Sequence, residues 1–254
     1  MKQIVLITDG CSNEGISPVV AAAHAVRQGI VVNVIGIVDD GTDMGERGAS
    51  EIAEIAKAGG GMSRIVSSRA LAETVQMMTR KTVVETIRQT VQQELRQLMG
   101  PTAALESLSP ERRGPVVRMI DELSETGSLR VALLIDTSAS MRPKLRAVEE
   151  ACRDLLASLR ARKGTSEMSV LHFPGNTEAD LLADWTSDLA KKDELFYKLN
   201  MKGTTPTGPA LMKALRYVAE AGSSRHAGIR DDEWEGGPPF RASSGDGILS
   251  DYIV

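Results

Sequence analysis

Apolar runs alternate with amphipathic segments along the first third of the chain. Two runs, "IVLIT" and "IVVNVIGIV", are apolar at nearly every position and predict strands buried on both faces; the first ends in Thr8-Asp9-Gly10. Between them lies "SPVVAAAHAVRQG", where Pro18 and Gly29 bound a predicted helix. A further helix, "SEIAEIAKAGGG", and a short strand, "SRIV", follow. This β-α-β-α-β order predicts a parallel sheet, but three strands make only half a domain.

The same pattern returns in the second half of the chain. A buried strand is predicted in "LRVALLIDTSASM", followed by a long helix from Pro143 to Gly164. The sequence then predicts a strand in "EMSVLHF", a shorter strand in "DLLADW" and a helix in "DLAKKDELFYKLN". A last helix follows the loop "KGTTPTG". These elements would supply the other half of one sheet.

The middle of the chain has a helical pattern instead. One long helix is predicted from Arg69 to Met99, with an apolar stripe formed by Val84, Ile87, Val91, Leu95 and Leu98. The stripe fits either a coiled-coil seam or a helix packed on its own domain, and its short length favours the second. A turn-rich connector, "GPTAALESLSPERRGP", leads to a second helix, "VVRMIDELSET". Together these segments predict a helical bridge between the two halves.

Composition narrows the class of protein. The 254 residues carry a net charge of −4 with a pI near 5.6, which argues against a nucleic-acid partner. Two cysteines, Cys11 and Cys152, make no disulfide framework and favour a reducing compartment. No apolar stretch approaches the roughly 18 residues needed to span a bilayer, and the N-terminus lacks a signal-peptide pattern. We therefore expect a cytoplasmic protein without a membrane partner.

Short oxygen-bearing side chains gather where the predicted strands end. Asp136, Ser138 and Ser140 follow one strand, Asp9 follows another, and Thr205 lies in a glycine-bounded loop. Carboxylates and hydroxyls are hard ligands suited to Mg²⁺, Mn²⁺ or Ca²⁺. Taken alone, "DTSAS" is just as typical of a capped helix start.

The three motifs together resemble the von Willebrand factor A family. Its metal-ion-dependent adhesion site is written D-x-S-x-S, then a threonine loop, then a strand ending in "TDG"; this chain has "DTSASM", "GTTPTGPAL" and "LITDG". The chain resembles in particular the cytoplasmic members of this family found in spore-forming Gram-positive bacteria. The resemblance implies an α/β fold with a doubly wound, mostly parallel, Rossmann-like sheet flanked by helices.

The resemblance also implies a site and a partner. Ser138, Ser140 and Thr205 would ligate a divalent cation, Mg²⁺ before Mn²⁺ or Ca²⁺, while Asp136 and Asp9 would hold coordinated waters and balance its charge. The open coordination position would accept an Asp or Glu of a partner protein. The turn carrying Asp9 is expected to face solvent.

The motifs stand in an unusual order, because "TDG" comes first instead of last. The simplest interpretation is a circular permutation. Residues 129–222 would form the first half of the domain and residues 1–66 the second, joined by a bridge at 67–128 and followed by a flexible tail at 223–254. The alternative is an exchanged homodimer in which two chains build each site. Both interpretations predict that Ile4–Ile7 lies beside Val131–Ile135.

The expected function is a metal-dependent protein-interaction module without enzymatic activity. Two alternatives stay open: a Mg²⁺-dependent phosphotransfer enzyme or phosphatase, and a scaffold that needs no metal. Phosphatases of the haloacid-dehalogenase type need a second Asp where this chain has Ser138, and no Walker-type phosphate loop is present.

Other candidate residues carry less weight. Cys11, Ser12 and Asn13 would lie at the rim of the site, where they would either select partners or be plain loop residues, and no motif pairs Cys11 with a base. His24 and His172 are expected to be packed or solvated rather than metal ligands. The acidic loop of Asp39, Asp40 and Asp43 lacks EF-hand spacing and is expected to be solvated.

Overall fold

The computed structural model describes residues 1–39, 44–188, 195–196 and 204–223. Six strands are present in this part of the chain: β1 (Lys2–Thr8), β2 (Ile30–Val38), β3 (Gly60–Ser67), β4 (Leu129–Asp136), β5 (Ser166–Phe173) and β6 (Asp180–Thr186). Six α-helices accompany them: α1 (Pro18–Arg27), α2 (Gly45–Ala58), α3 (Leu71–Met99), α4 (Pro110–Thr126), α5 (Leu145–Arg160) and α6 (Thr207–Ser223). No described helix is long and apolar enough to cross a membrane.

All six strands form one sheet, in the order β3-β2-β1-β4-β5-β6. The first five strands in this order are parallel, and β6 pairs with β5 in the antiparallel direction. Strand β1 lies between β2 and β4, with Ile7 opposite Ile135. The predicted adjacency of Ile4–Ile7 and Val131–Ile135 is therefore confirmed, as is the mostly parallel α/β fold.

Helices cover both faces of the sheet, so the molecule has three layers around two apolar cores. Helices α3 and α5 pack on one face, and α1, α2 and α6 pack on the other. Strand β1 serves both cores because its side chains alternate: Val5 and Ile7 point to the first face, Ile4 and Leu6 to the second, and all four are fully buried. A continuous apolar run is what such a central strand requires.

Helix α3 is fixed to the sheet by a buried polar network as well as by apolar packing. The amide nitrogen of Gln3 donates to the Thr79 carbonyl at 3.2 Å, and the Thr82 hydroxyl donates to Asn33 Oδ1 at 3.1 Å. The far half of α3 packs instead against α4, in a separate small cluster that contains Leu95. The long helix is thus packed within its own chain, as the sequence interpretation favoured.

Several element boundaries differ from the predictions, and helix α4 begins at Pro110, inside the segment predicted as a connector. Strand β3 begins at Gly60, ahead of "SRIV". Its backbone passes very close to β2 there: a Cβ at Gly61 would lie 2.2 Å from the Val32 carbonyl oxygen, so only glycine allows the approach. Helix α5 begins at Leu145; a 3₁₀ segment, Ala139–Lys144, contains Pro143 instead. Most of the helix predicted in "DLAKKDELFYKLN" and the tail after Ser223 lie outside the described residues.

Candidate metal-binding site at the carboxyl edge of the sheet

The carboxyl ends of β1 and β4 meet at the centre of the sheet, where ligand sites of open α/β folds lie. Asp136, the last residue of β4, is completely buried there. The Thr8 hydroxyl donates to Asp136 Oδ2 at 2.7 Å, and the Ser138 backbone N–H donates to Oδ1 at 2.8 Å. Both carboxylate oxygens are therefore held in fixed directions by the two strand ends.

A row of side-chain oxygens continues from this carboxylate to the end of β1. The Ser138 and Ser140 hydroxyl oxygens lie 3.2 Å apart, and Ser140 Oγ donates to Asp9 Oδ1 at 2.9 Å. The turn after β4 and the turn after β1 thereby form one cluster. Four of the five predicted site residues, Asp9, Asp136, Ser138 and Ser140, are brought together.

The fifth residue, Thr205, is tied to the same cluster through the loop that follows Asp9. The Asn13 backbone N–H donates to the Thr205 carbonyl at 3.2 Å, and the Thr205 N–H donates to Asn13 Oδ1 at 2.7 Å. The loop also packs against the start of α6, where a Cβ at Gly208 would lie 1.9 Å from the Ile16 carbonyl oxygen. Asn13 is therefore a structural clamp on the threonine loop rather than a plain loop residue.

A lysine that sequence reasoning missed completes the site. Lys144 Nζ lies 2.7 Å from Asp9 Oδ2 and 3.5 Å from Asp39 Oδ2. The side chains of Lys144 and Asp9 are only 7% and 3% exposed. The expectation that Asp9 faces solvent is wrong, because Lys144 and Ser140 cover its carboxylate. Sequence spacing could have identified Lys144, which follows Ser140 by four positions, and Thr8, which directly precedes Asp9.

The electrostatics of Asp136 favour a bound positive charge. Burial raises the pKa of this carboxyl, the nearby Asp9 charge adds to the rise, and the hydrogen bonds from Thr8 and Ser138 oppose it. A proton or a cation at this position would relieve the cost of the buried charge. The surrounding hydroxyls and carboxylates are hard oxygen donors, so the residues present fit Mg²⁺, Mn²⁺ or Ca²⁺. Among the residues described, no group of three or more His, Cys, Asp or Glu forms an alternative metal cluster.

The rim of the site is formed by the loop after β1 and by α2. A shallow cavity of about 310 Å³ lies there, lined by Cys11, Ser12, Arg47, Ser50, Glu51 and Glu54. The Glu51 carboxylate accepts the Ser12 N–H at 3.2 Å. Partial burial and Glu51 raise the pKa of the Cys11 thiol, which opposes a nucleophilic role.

The remaining candidates fall outside the cluster. His24 is exposed on α1; His172 is buried, with Nδ1 3.0 Å from Thr137 Oγ1, so neither is a metal ligand here. Asp40 and Asp43 lie outside the described residues. A larger cavity of about 520 Å³ opens at the opposite end of β4, beside Leu129 and Arg162, and is remote from the site chemistry.

Comparison with known proteins agrees with the geometry. The family model for the von Willebrand factor type A domain matches residues 131–229. The uncharacterized protein YabS of Bacillus subtilis (strain 168) is 46% identical over 234 residues, which cover 92% of this chain and 95% of that protein. The chain belongs to the von Willebrand factor A family. Domains of this family are general modules, often metal-dependent, that mediate protein interactions.

A solved structure has a similar fold over almost the whole chain. The crystal structure of an uncharacterized protein from Alicyclobacillus acidocaldarius aligns with a TM-score of 0.80 at 42% identity, covering 89% of this chain and 96% of that chain. The family model includes Asp136, Ser138, Ser140 and Thr205, whereas Asp9 lies outside the matched range.

Proposed function

We propose that this von Willebrand factor A protein is a metal-dependent protein-interaction module. Ser138, Ser140 and Thr205 would hold a divalent cation, most readily Mg²⁺, while Asp9 and Asp136 balance its charge. The main support for the proposal is one hydrogen-bonded cluster built from two distant segments of the chain. Its members are Asp9, Ser140, Ser138 and Asp136.

The chemistry of the donors defines the partner. Neutral hydroxyl ligands leave a bound cation electrophilic, so a carboxylate from outside is strongly attracted to it. The partner would therefore be a protein that presents an Asp or Glu side chain. The acidic net charge of −4 supports neither a nucleic acid nor an anionic membrane as the partner. We also propose a location in the cytoplasm.

An interaction role fits the site better than phosphotransfer. A phosphate-accepting aspartate must be reached by the substrate phosphate, but Asp136 is fully buried. The second position of the motif is Ser138, which supplies a hydroxyl in place of the second aspartate. We therefore assign no catalytic residue.

We also propose that the domain is circularly permuted. The family match begins at β4, whereas the strand carrying Asp9 stands at the start of the chain and pairs with β4. Residues 129–222 would then supply the first half of the domain and residues 1–66 the second. Helices α3 and α4, within residues 67–128, would connect the original ends.

Calorimetric titration of MgCl₂ and MnCl₂ tests the proposed function. We expect the wild-type protein to bind one cation, and Ser138→Ala/Ser140→Ala to lose binding while circular dichroism shows an unchanged fold. Ser158→Ala, an exposed serine of α5, is the matched control and should bind as wild type does. Equal affinities in the wild type and the double variant would contradict the assignment, and turnover of an aryl phosphate with Mg²⁺ would favour the enzyme alternative.

A further inference from the structure

The site contains a positive charge of its own. Lys144 extends from the 3₁₀ segment after the "DTSAS" turn, and its ammonium group lies 2.7 Å from Asp9 Oδ2. The other oxygen of the same carboxylate, Oδ1, accepts the hydrogen bond from Ser140. Asp9 is thus shared between a buried cation and the hydroxyl row.

A count of charges shows what this arrangement changes. Among the buried groups of the site, Asp9 and Asp136 contribute two negative charges and Lys144 one positive charge, whereas Asp39, 3.5 Å from Lys144, is 58% exposed and its charge is screened by solvent. A divalent cation would make the site neutral without Lys144, but leaves it with one net positive charge when Lys144 is present. Repulsion between two like charges opposes metal binding, whereas a net positive site attracts a carboxylate more strongly.

Resting on the function proposed above, we propose that Lys144 is a positioning residue that sets the balance between metal and partner affinity. It weakens the hold of the site on a divalent cation and strengthens the hold of the loaded site on a carboxylate. The cation and the acidic partner then bind firmly only together. Burial makes the effect strong, because the pair is screened little by solvent.

The geometry limits where the ammonium group can go. The Lys144 side chain is 7% exposed, and its second acidic neighbour, Asp39, is 58% exposed and 3.5 Å away. Lys144 is therefore held between two carboxylates, Asp9 and Asp39. Lys144 would remain beside the metal and keep its influence on the incoming carboxylate.

Substitution at Lys144 tests the proposal with two readouts. The first is the Kd for Mn²⁺, measured by calorimetry. The second is the affinity of the Mn²⁺-loaded protein for acetate, measured by paramagnetic broadening of ¹³C-acetate signals. Lys144→Gln removes the charge but keeps a hydrogen-bond donor for Asp9, and circular dichroism checks that the variant is folded before either affinity is measured. Lys144→Arg keeps the charge, and Lys163→Gln removes an exposed lysine after α5 as the matched control.

We expect the two affinities of Lys144→Gln to move in opposite directions. Mn²⁺ should bind at least about tenfold tighter and acetate at least about fivefold weaker, because a unit charge a few ångströms away acts twice as strongly on a divalent cation as on a singly charged anion. Lys144→Arg and Lys163→Gln should stay near wild type. Parallel loss of both affinities, as a purely structural role would produce, would overturn the proposal, and so would two unchanged affinities.

The same titrations separate this inference from the proposed function. Unchanged Mn²⁺ binding in Lys144→Gln, with wild-type binding intact, rejects the role of Lys144 alone. Mn²⁺ binding by Lys144→Gln but not by the wild type supports competition by Lys144 and contradicts metal-dependent function of the natural chain. Absence of binding in both proteins rejects both proposals.

Discussion

At the scale of single residues, the buried pair of Asp9 and Lys144 is the most consequential contact of the site. Neither side chain is exposed by more than 7%, and their charged atoms are 2.7 Å apart. Removal of one partner from such a pair leaves an uncompensated buried charge. Loss of either side chain would therefore both destabilise the fold and change the charge of the site.

Asp9→Ala should destabilise the protein by about 3 kcal/mol, measured by urea unfolding without added metal, because Lys144 loses its counter-charge. The double variant Asp9→Ala/Lys144→Met should lose less than the sum of the two single variants, since neither charge is then left alone. A change below about 1 kcal/mol for Asp9→Ala would show that solvent reaches the pair, because exposed pairs contribute no more than about 1 kcal/mol.

His172, near the site, makes a pH-dependent contribution to the free energy of unfolding. Burial lowers the pKa of its imidazole from 6.5, and the nearby Asp180 charge partly opposes the shift. The unfolded chain therefore binds a proton more readily than the folded one, so stability is lost as the pH falls below about 6.5 and is unaffected by this group above it. The folded protein holds the ring neutral beside Thr137.

His172→Asn should remove this contribution while keeping a polar side-chain group close to the position of Nδ1. Urea unfolding at pH 7.5 and pH 5.5 is expected to show a smaller loss of stability in the variant than in the wild type. His24→Asn, an exposed position on α1, serves as the control and should follow the wild type. A variant that loses as much stability as the wild type would contradict the role of His172.

The site residues differ in how far the sequence could predict them. Asp136, Ser138 and Ser140 were found because a strand-to-helix turn brings alternate positions together, and Asp9 and Thr205 because their motifs resemble those of the family. Lys144, Thr8 and Asn13 were missed or undervalued, because their roles depend on contacts between turns that only the assembled sheet brings together.

At the scale of elements, continuous apolar runs were a reliable guide to central strands. Strand β1 is buried on both faces, and its position follows directly from that composition. The start of α5 was predicted less well, since Pro143 is tolerated both in the first turn of an α-helix and in the 3₁₀ segment that the chain forms here. Local sequence does not separate these two outcomes.

The far half of α3 and helix α4 form an element pair with its own small core. Leu95 is 1% exposed in that core, whereas Leu98 on the same helix is 57% exposed. Leu95→Ala should cost about 2–5 kcal/mol of unfolding free energy, and Leu98→Ala less than about 0.5 kcal/mol. Chemical denaturation monitored by circular dichroism measures both.

Neither variant should change the affinity for Mn²⁺, because the residues of this core lie on helices that supply no candidate site ligand. A folded Leu95→Ala protein with weakened Mn²⁺ binding would show that the helical bridge takes part in the site. That result would contradict the proposed division between the bridge and the site.

At the scale of the whole molecule, the first three and the last three described strands lie side by side in one sheet and meet at β1 and β4. The strand order places β1 against β4 although a helical segment separates them in sequence. The sequence predicted this adjacency only through the order of the family motifs, because apolar patterns identify strands but not their neighbours.

Disulfide formation between Ile7→Cys and Ile135→Cys, in a chain without Cys11 and Cys152, distinguishes permutation from exchange. The two positions are directly opposite, with both side chains in the same core, and adjacent strands are about 4.8 Å apart, which a disulfide can bridge. Non-reducing electrophoresis is expected to show a cross-linked monomer. A covalent dimer would instead establish exchange between two chains.

The most direct test of the central claim is a crystal structure of the protein soaked with MnCl₂, with anomalous scattering collected to locate the metal. We expect one anomalous peak within about 2.5 Å of the hydroxyl oxygens of Ser138 and Ser140, on the side facing Asp9 and Thr205. Absence of a peak at this position at saturating Mn²⁺, with Lys144 still paired with Asp9, would contradict the proposed metal site.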